Sequence, residues 1–166
     1  MTPQQEYISL YKKMADLCEQ QGWGDPFSYA RSKEILATIK LGHTLPGPNV
    51  FAGADAINEK GQPVEYKSTI SKNCKGSYTG VSVQKTWEEQ QKYLITKKIG
   101  IYPEHYYNRF EDGRLVESWK LSGKDVLSIL LPKIHKQFHS DSKRKDPRLR
   151  ANITWREIQK YGKQVI

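Results

Sequence analysis

Three side chains within one short stretch could do hydrolytic chemistry together. The stretch GADAINEKGQPVEYKST, from Gly53 to Thr69, carries Asp55, Glu65 and Lys67. Nine residues separate the two acids, and a single residue separates Glu65 from Lys67. On a strand, residues two apart point to the same face, so Glu65 and Lys67 share one. A short hairpin would bring Asp55 opposite that face. Two converging carboxylates repel unless something positive sits between them, and a divalent cation meets that need. Magnesium favours one or two carboxylates together with waters and phosphate oxygens, and manganese would fit the same oxygens. Such an ion can polarise a scissile phosphate and lower the pKa of a bound water. Lys67 can hold that water or stabilise charge developing on phosphorus. The backbone carbonyl of Tyr66 would point near the same ion. The plain alternative is a hairpin carrying surface charges, and the pattern by itself leaves it open.

The flanking sequence must supply the elements that hold these groups. Residues 4–21 carry Tyr7, Leu10, Tyr11, Met14, Leu17 and Cys18 at helical spacing. A second helix is expected over 27–41, with Phe27, Ala30, Ile35, Leu36 and Ile39 inward and Gly42 closing it. The period then changes. Strands are expected over Asn49–Asn58 and Val64–Ile70, joined by a loop at 59–62, and again over Tyr78–Gln84. A short helix is expected over Glu88–Leu94, then strands over Lys98–Tyr102 and Glu104–Trp119, the latter turning at Glu111-Asp112-Gly113. Ser122 starts a helix with Val126, Ile129, Leu130, Ile134 and Phe138 on its apolar face, which Pro132 should kink or split. Residues 139–150 read as a basic loop. Thr154 and Glu157 make a capping box for a last short helix ending at Gly162. Helices at both ends with strands between them predict an α/β or α+β fold around one mixed sheet.

Charge points to the partner. The chain has 166 residues, a net charge of +9 and a pI near 9.4. From Lys133 to Lys163 there are ten lysines and arginines against the acids Asp141, Asp146 and Glu157. Such a patch is the footprint of a phosphate-backbone partner. Lys143, Arg144, Lys145, Arg148 and Arg150 are its backbone-contact candidates; contacts of this kind position a protein without reading sequence. A solvated basic face is the alternative. Composition, 37% hydrophobic and 27% charged, argues against disorder. No apolar run is long enough to span a bilayer, and the N-terminus lacks the charge and hydrophobic pattern of a signal peptide. Cys18 and Cys74 have no zinc-type spacing and fit free thiols in a reducing cytoplasm.

With these residues in view, the chain resembles the PD-(D/E)xK nucleases and, among them, the PvuII-type restriction endonucleases. The likeness takes in LPG at 45–47, ADA, GQPVEYKS, KG at 75–76, ESWKLSGKDV and the tail NITWREIQKYGKQVI. It implies a mixed sheet flanked by helices in one domain. Residues 1–44 would serve dimerisation, 49–120 catalysis and recognition, and 121–166 DNA contact. It implies a homodimer that clasps duplex DNA and cuts both strands with magnesium, leaving 5′-phosphate and 3′-hydroxyl ends. A DNA methyltransferase would be its functional counterpart. Asp55 resembles the metal-bridging aspartate, Glu65 the second carboxylate ligand and Lys67 the catalytic lysine. Glu34 is the early-helix acid nearest the place where many members add a metal contact. The stretch Ser77–Gln84 looks like the strand that reads base edges, with Tyr78, Thr79, Ser82 and Gln84 as polar readers. Here the chain departs from the PvuII pattern: Gly80, Val81 and Ser82 stand where that branch has histidines, and Ala52 stands where it has an acid.

Other signals weigh less. Gly100-Ile101-Tyr102 has no matching YIG. His135 and His139 have helical spacing but no third zinc ligand in a strongly basic surrounding. Two other functions compete: a structure-specific nuclease of the same superfamily, acting on junctions or damage, and a basic DNA-binding protein that does not cut.

Overall fold

The structure, a computed structural model, describes residues 1–47, 49–140 and 147–166. Helix α1 spans Pro3–Gln21. Thr2 caps it, its hydroxyl accepting from the Gln5 amide while the Gln5 side chain accepts from the Thr2 amide. Of its apolar stripe only Cys18 is buried, and Tyr7 stays 68% exposed.

Helix α2 spans Arg31–Leu41, and Gly42 at φ 69° ends it as expected. Its inward face differs from the expected one. Phe27 and Ala30 precede the helix, Phe27 stacks on Tyr11 with ring centres 3.8 Å apart, and Ile39 is 71% exposed. Buried Ala37 and Thr38 and packed Leu41 turn to the sheet instead, with Glu34 on the same stripe. The small side chains let α2 approach the strands closely, and the Thr38 hydroxyl donates to the Ile35 carbonyl, so its burial leaves no polar atom unpaired.

The strands are β1 (Ala56–Ile57), β2 (Pro63–Thr69), β3 (Gly76–Val81), β4 (Glu104–Glu111), β5 (Arg114–Ser122), β6 (Leu149–Ile153) and β7 (Lys163–Gln164). Five form a mixed sheet in the order β1-β2-β4-β5-β7, in which β2 and β4 run parallel and the other pairs antiparallel. β3 and β6 form a separate antiparallel pair. The β1–β2 hairpin closes as expected: the Asn58 side chain accepts from the amides of Lys60 and Gln62, and Gly61 takes φ 73°. The β4–β5 turn has positive φ at both Asp112 and Gly113, the signature of a tight primed hairpin.

Three expectations fail locally. The strand foreseen over Asn49–Asn58 shrinks to β1, because Asn49, Phe51 and Gly53 all take positive φ and break extended pairing. The strand foreseen over Lys98–Tyr102 is instead a π-helical turn, Leu94–Lys98, following helix α3 (Trp87–Tyr93), and then an irregular connection. A parallel β2–β4 pair needs a long crossover, and this segment belongs to it. Pro132 does not split helix α4 (Gly123–Phe138). It sits on the exposed side with Ser128, whose carbonyl loses its intrahelical partner where water can replace it.

Two cores follow from the two faces of the sheet. One face holds Val64, Tyr66, Tyr106 and Phe110 against α2. The other holds Tyr107 and Leu121 against Val126, Ile129, Leu130 and Ile134 of α4, the β3–β6 pair and helix α5 (Trp155–Tyr161). The Thr154–Glu157 capping box of α5 is present as expected. Among the described residues no helix is long and apolar enough to cross a membrane. Both cysteines are free and buried.

Candidate active site

Asp55 lies just before β1. The register sets Ala56 against Val64, and continuing it by one residue places Asp55 beside Glu65. The Asp55 amide donates to the Val64 carbonyl over 3.2 Å. Its side chain reaches further, and Oδ2 accepts from the Tyr66 amide at 2.7 Å. The amide and carbonyl of one strand residue point to the same sheet edge. The Tyr66 carbonyl therefore faces the edge where Asp55 sits.

Glu65 and Lys67 are half-buried on the same face of β2, and the Lys67 ammonium donates to Glu65 Oε1. Beneath them lies aromatic packing. The ammonium stands 4.8 Å from the centre of the Tyr78 ring. The Tyr78 hydroxyl is 2.8 Å from that of Tyr107 and 2.9 Å from His105 Nδ1, while His105 Nε2 contacts the Ile99 carbonyl at 3.3 Å. Gly76 makes this fit possible. A Cβ there would lie 2.3 Å from the Tyr107 ring and 3.2 Å from Lys67 Cγ.

Glu34 reaches the same neighbourhood from α2. Its side chain is 14% exposed and pairs with Arg31 at 2.9 Å. Burial pushes its carboxyl above the usual range, Arg31 opposes that shift, and Glu65 adds to it. Asp55 feels the crowd most. Burial first and then the Glu65 charge push it up to about 7, with Glu34 adding and the Tyr66 amide and Lys67 opposing. Three partly buried acids thus share one corner, with Lys67 and Arg31 as the nearby cations.

This donor chemistry fits a hard divalent cation. Carboxylate oxygens and a strand carbonyl are what magnesium accepts, and the penalty on ionised Asp55 is one that a cation removes. Among the described residues no set of three His, Cys, Asp or Glu side chains is gathered closely enough to hold a metal by side chains alone. The candidate set is of another kind: Asp55, Glu65 and the Tyr66 carbonyl, with Glu34 behind.

The site opens onto a cavity of about 300 Å³ lined by Glu65, Lys67, Ser77, Thr79, Lys97 and Lys98, among others. Tyr102 also lines it and donates its hydroxyl to the Gly53 carbonyl at 3.0 Å, pinning the loop before Asp55. Lys98 and Tyr102 were not foreseen, because an expected strand covered them, and Lys97 fell in the connection before it. The adjacent lysines in ITKKIGIY were the one available signal.

The foreseen base readers separate. Tyr78 is a correction: at 7% exposure, with its hydroxyl engaged, it belongs to the core. Alternation along β3 puts Ser77 and Thr79 outward instead. Gly80 at φ 67° bends the strand, which ends at Val81, so Ser82 and Gln84 lie beyond it. Ser82 is exposed, whereas Gln84 is half-buried, its amide donating to Gln90 Oε1 and its side chain to the Ser82 carbonyl. Arg148 and Arg150 are exposed at the start of β6, where the Gln137 side chain holds both backbone polar groups of Arg150. Lys143, Arg144 and Lys145 lie outside the described residues.

His135 and His139 pack edge-on, ring centres 4.5 Å apart, beside Trp87. No third ligand joins them among the described residues. Compared with protein-family models and with curated proteins, the chain matches none.

Proposed function

We propose that this chain is a magnesium-dependent endonuclease of the PD-(D/E)xK type that hydrolyses both strands of duplex DNA at a specific sequence. The observation that carries this reading is the placement of Asp55 beside Glu65 and Lys67 on one hairpin, with Glu65 and Lys67 lining an open cavity. Asp55 is anchored on the Tyr66 amide, and Glu65 is paired with Lys67 on the adjoining face. A mixed sheet flanked by helices, with the hairpin feeding a parallel partner strand, is compatible with the fold of that superfamily.

In this reading Asp55, Glu65 and the Tyr66 carbonyl hold the cation, and Glu34 adds a contact from α2. When bound, it polarises the scissile phosphate and makes water more acidic. Lys67 orients the attacking water and offsets negative charge on the reacting phosphate. Attack in line breaks the bond from phosphorus to the 3′ oxygen, which leaves with a proton, and the phosphate stays on the 5′ side. Ser77 and Thr79 face outward beside the site as polar readers, and Arg148 and Arg150 serve the backbone. The enzyme acts as a symmetric dimer, which predicts a palindromic target. A cytoplasmic restriction role, paired with a methyltransferase of the same specificity, completes the proposal.

The test is long duplex DNA incubated with protein and magnesium. Discrete fragments support a restriction enzyme. Cleavage confined to branched or damaged DNA supports a structure-specific nuclease instead. Tight binding without cleavage supports a protein that does not cut. Asp55→Asn and Lys67→Ala should each abolish cleavage and leave DNA binding nearly intact; wild-type cleavage rates in both would remove these residues from the site.

A further inference from the structure

The π-helical turn Leu94–Lys98 has a cause and a consequence. Leu94 and Ile99 are both buried, and the Leu94 carbonyl accepts from the amides of Ile99, at 2.9 Å, and Gly100, at 3.0 Å. The turn is fixed at its far end, where His105 Nε2 meets the Ile99 carbonyl. Gly100 admits it, since a Cβ there would lie 2.3 Å from the Ile95 carbonyl oxygen. Between the two anchors the four residues 95–98 are all exposed, and the last two are lysines. Turns of this kind, with one extra residue inside a helix, recur at functional sites because they redirect the side chains that follow.

Here Lys97 and Lys98 are directed to the cavity that Glu65 and Lys67 also line. Lys67 is already paired with Glu65. Neither Lys97 nor Lys98 has an ion-pair partner among the described residues. The cavity is therefore bordered by two lysines with no ion pair among the described residues, beside two outward strand residues with hydroxyls, Ser77 and Thr79. Mobile ammonium donors and hydroxyls together suit a phosphate group.

We infer that Lys97 and Lys98 form a second phosphate seat beside the cleavage site, gripping a phosphodiester that neighbours the scissile one. The seat rests on the nuclease reading above and adds to it a means of holding the strand in register with Asp55, Glu65 and Lys67. It contributes affinity that is independent of base sequence.

The experiment measures duplex DNA binding against salt concentration in the presence of a chelator, and cleavage with magnesium. It compares the wild type, Lys97→Gln/Lys98→Gln, Lys97→Arg/Lys98→Arg and, as a control of equal charge change on α1, Lys12→Gln/Lys13→Gln. Thermal unfolding checks that each variant folds. Removing two phosphate contacts should lower the slope of log affinity against log salt by about 2. Affinity should fall roughly tenfold or more for every duplex tested, cleavage should slow, and the arginine variant should restore both. A slope unchanged in the glutamine variant, or lowered equally by the α1 control, overturns the seat while leaving the nuclease intact. A wild-type protein that neither binds nor cuts overturns the nuclease reading and the seat with it.

Discussion

The Lys67 ammonium lies 4.8 Å from the centre of the Tyr78 ring and donates to Glu65 on its other side. A lysine held between a π face and a carboxylate has lost most of its freedom to wander. In the proposed nuclease Tyr78 would be a positioning residue, and its own hydroxyl is fixed by His105 and Tyr107. A cation–π contact of this sort is worth about 0.5–2 kcal/mol. Tyr78→Phe keeps the ring, so cleavage should stay within about threefold of wild type. It leaves His105 and Tyr107 short of a partner, at roughly 1–2 kcal/mol of stability. Tyr78→Leu removes the ring and should slow cleavage by roughly tenfold beyond the Phe variant. Single-turnover rates and urea midpoints separate the two effects; equal rates in both variants would show that the ring does not place Lys67.

Acid crowding gives Asp55 a signature in stability. Its folded pKa, about 7, lies above the ordinary value of 3.8. Between those values the native protein keeps a proton that the unfolded chain has released. Its contribution therefore declines as pH rises from about 4 to about 7 and is flat above. The shift corresponds to on the order of 4 kcal/mol. Asp55→Asn cannot titrate and can still accept from the Tyr66 amide. With a chelator present, the variant should gain stability relative to wild type between pH 4.5 and pH 8, by an amount of that order. Magnesium at pH 8 should narrow the gap by stabilising the wild type alone. Urea unfolding at the two pH values measures both effects, and a gap independent of pH would mean that Asp55 is not crowded.

Glu34 has left solvent to face the same corner. Glu34→Gln keeps the size and removes the charge. It should raise the magnesium concentration needed for half-maximal cleavage by about tenfold, with a smaller effect on the rate at saturation, as expected for a supporting ligand. A magnesium titration of cleavage decides it: an unchanged midpoint would return Glu34 to the role of Arg31's ion-pair partner.

Helix α1 presents Tyr7, Leu10, Met14 and Leu17 to solvent on one stripe. Buried against a second copy, such a stripe would contribute about 25 cal/mol for each Å² of apolar surface covered. Sedimentation should therefore show a wild-type dimer and a Leu10→Lys/Leu17→Lys monomer. The monomer should keep its thermal midpoint measured at low concentration, because only Cys18 of that helix is buried within the chain. It should lose double-strand cleavage. A wild-type monomer at all concentrations would rule out this interface.

Local chemistry made much of the scaffold legible. The Thr154–Glu157 box, the Ser122 cap, the Asp112-Gly113 turn and the apolar face of α4 all act within a few residues of themselves, so the chain states them directly. The hairpin that pairs β1 with β2 belongs with them, since Asn58 and Gly61 close it by contacts that span four residues. Sequence alone therefore set Glu65 and Lys67 on one strand face and put Asp55 on the partner segment.

Tertiary packing decided the rest. Ile39 and Phe27 looked inward by composition, but the layer above β2 and β4 admits the small Ala37 and Thr38, and that choice turns Glu34 toward the acids. Tyr78 looked like a reader of bases, yet His105 and Tyr107, from a strand about thirty residues away, draw its hydroxyl into the core. The lysines of the π-helical turn reach the site only because a parallel pairing forces a crossover past it. Propensity and spacing act over a turn or a strand, whereas burial is settled by surfaces that meet only after the chain has folded.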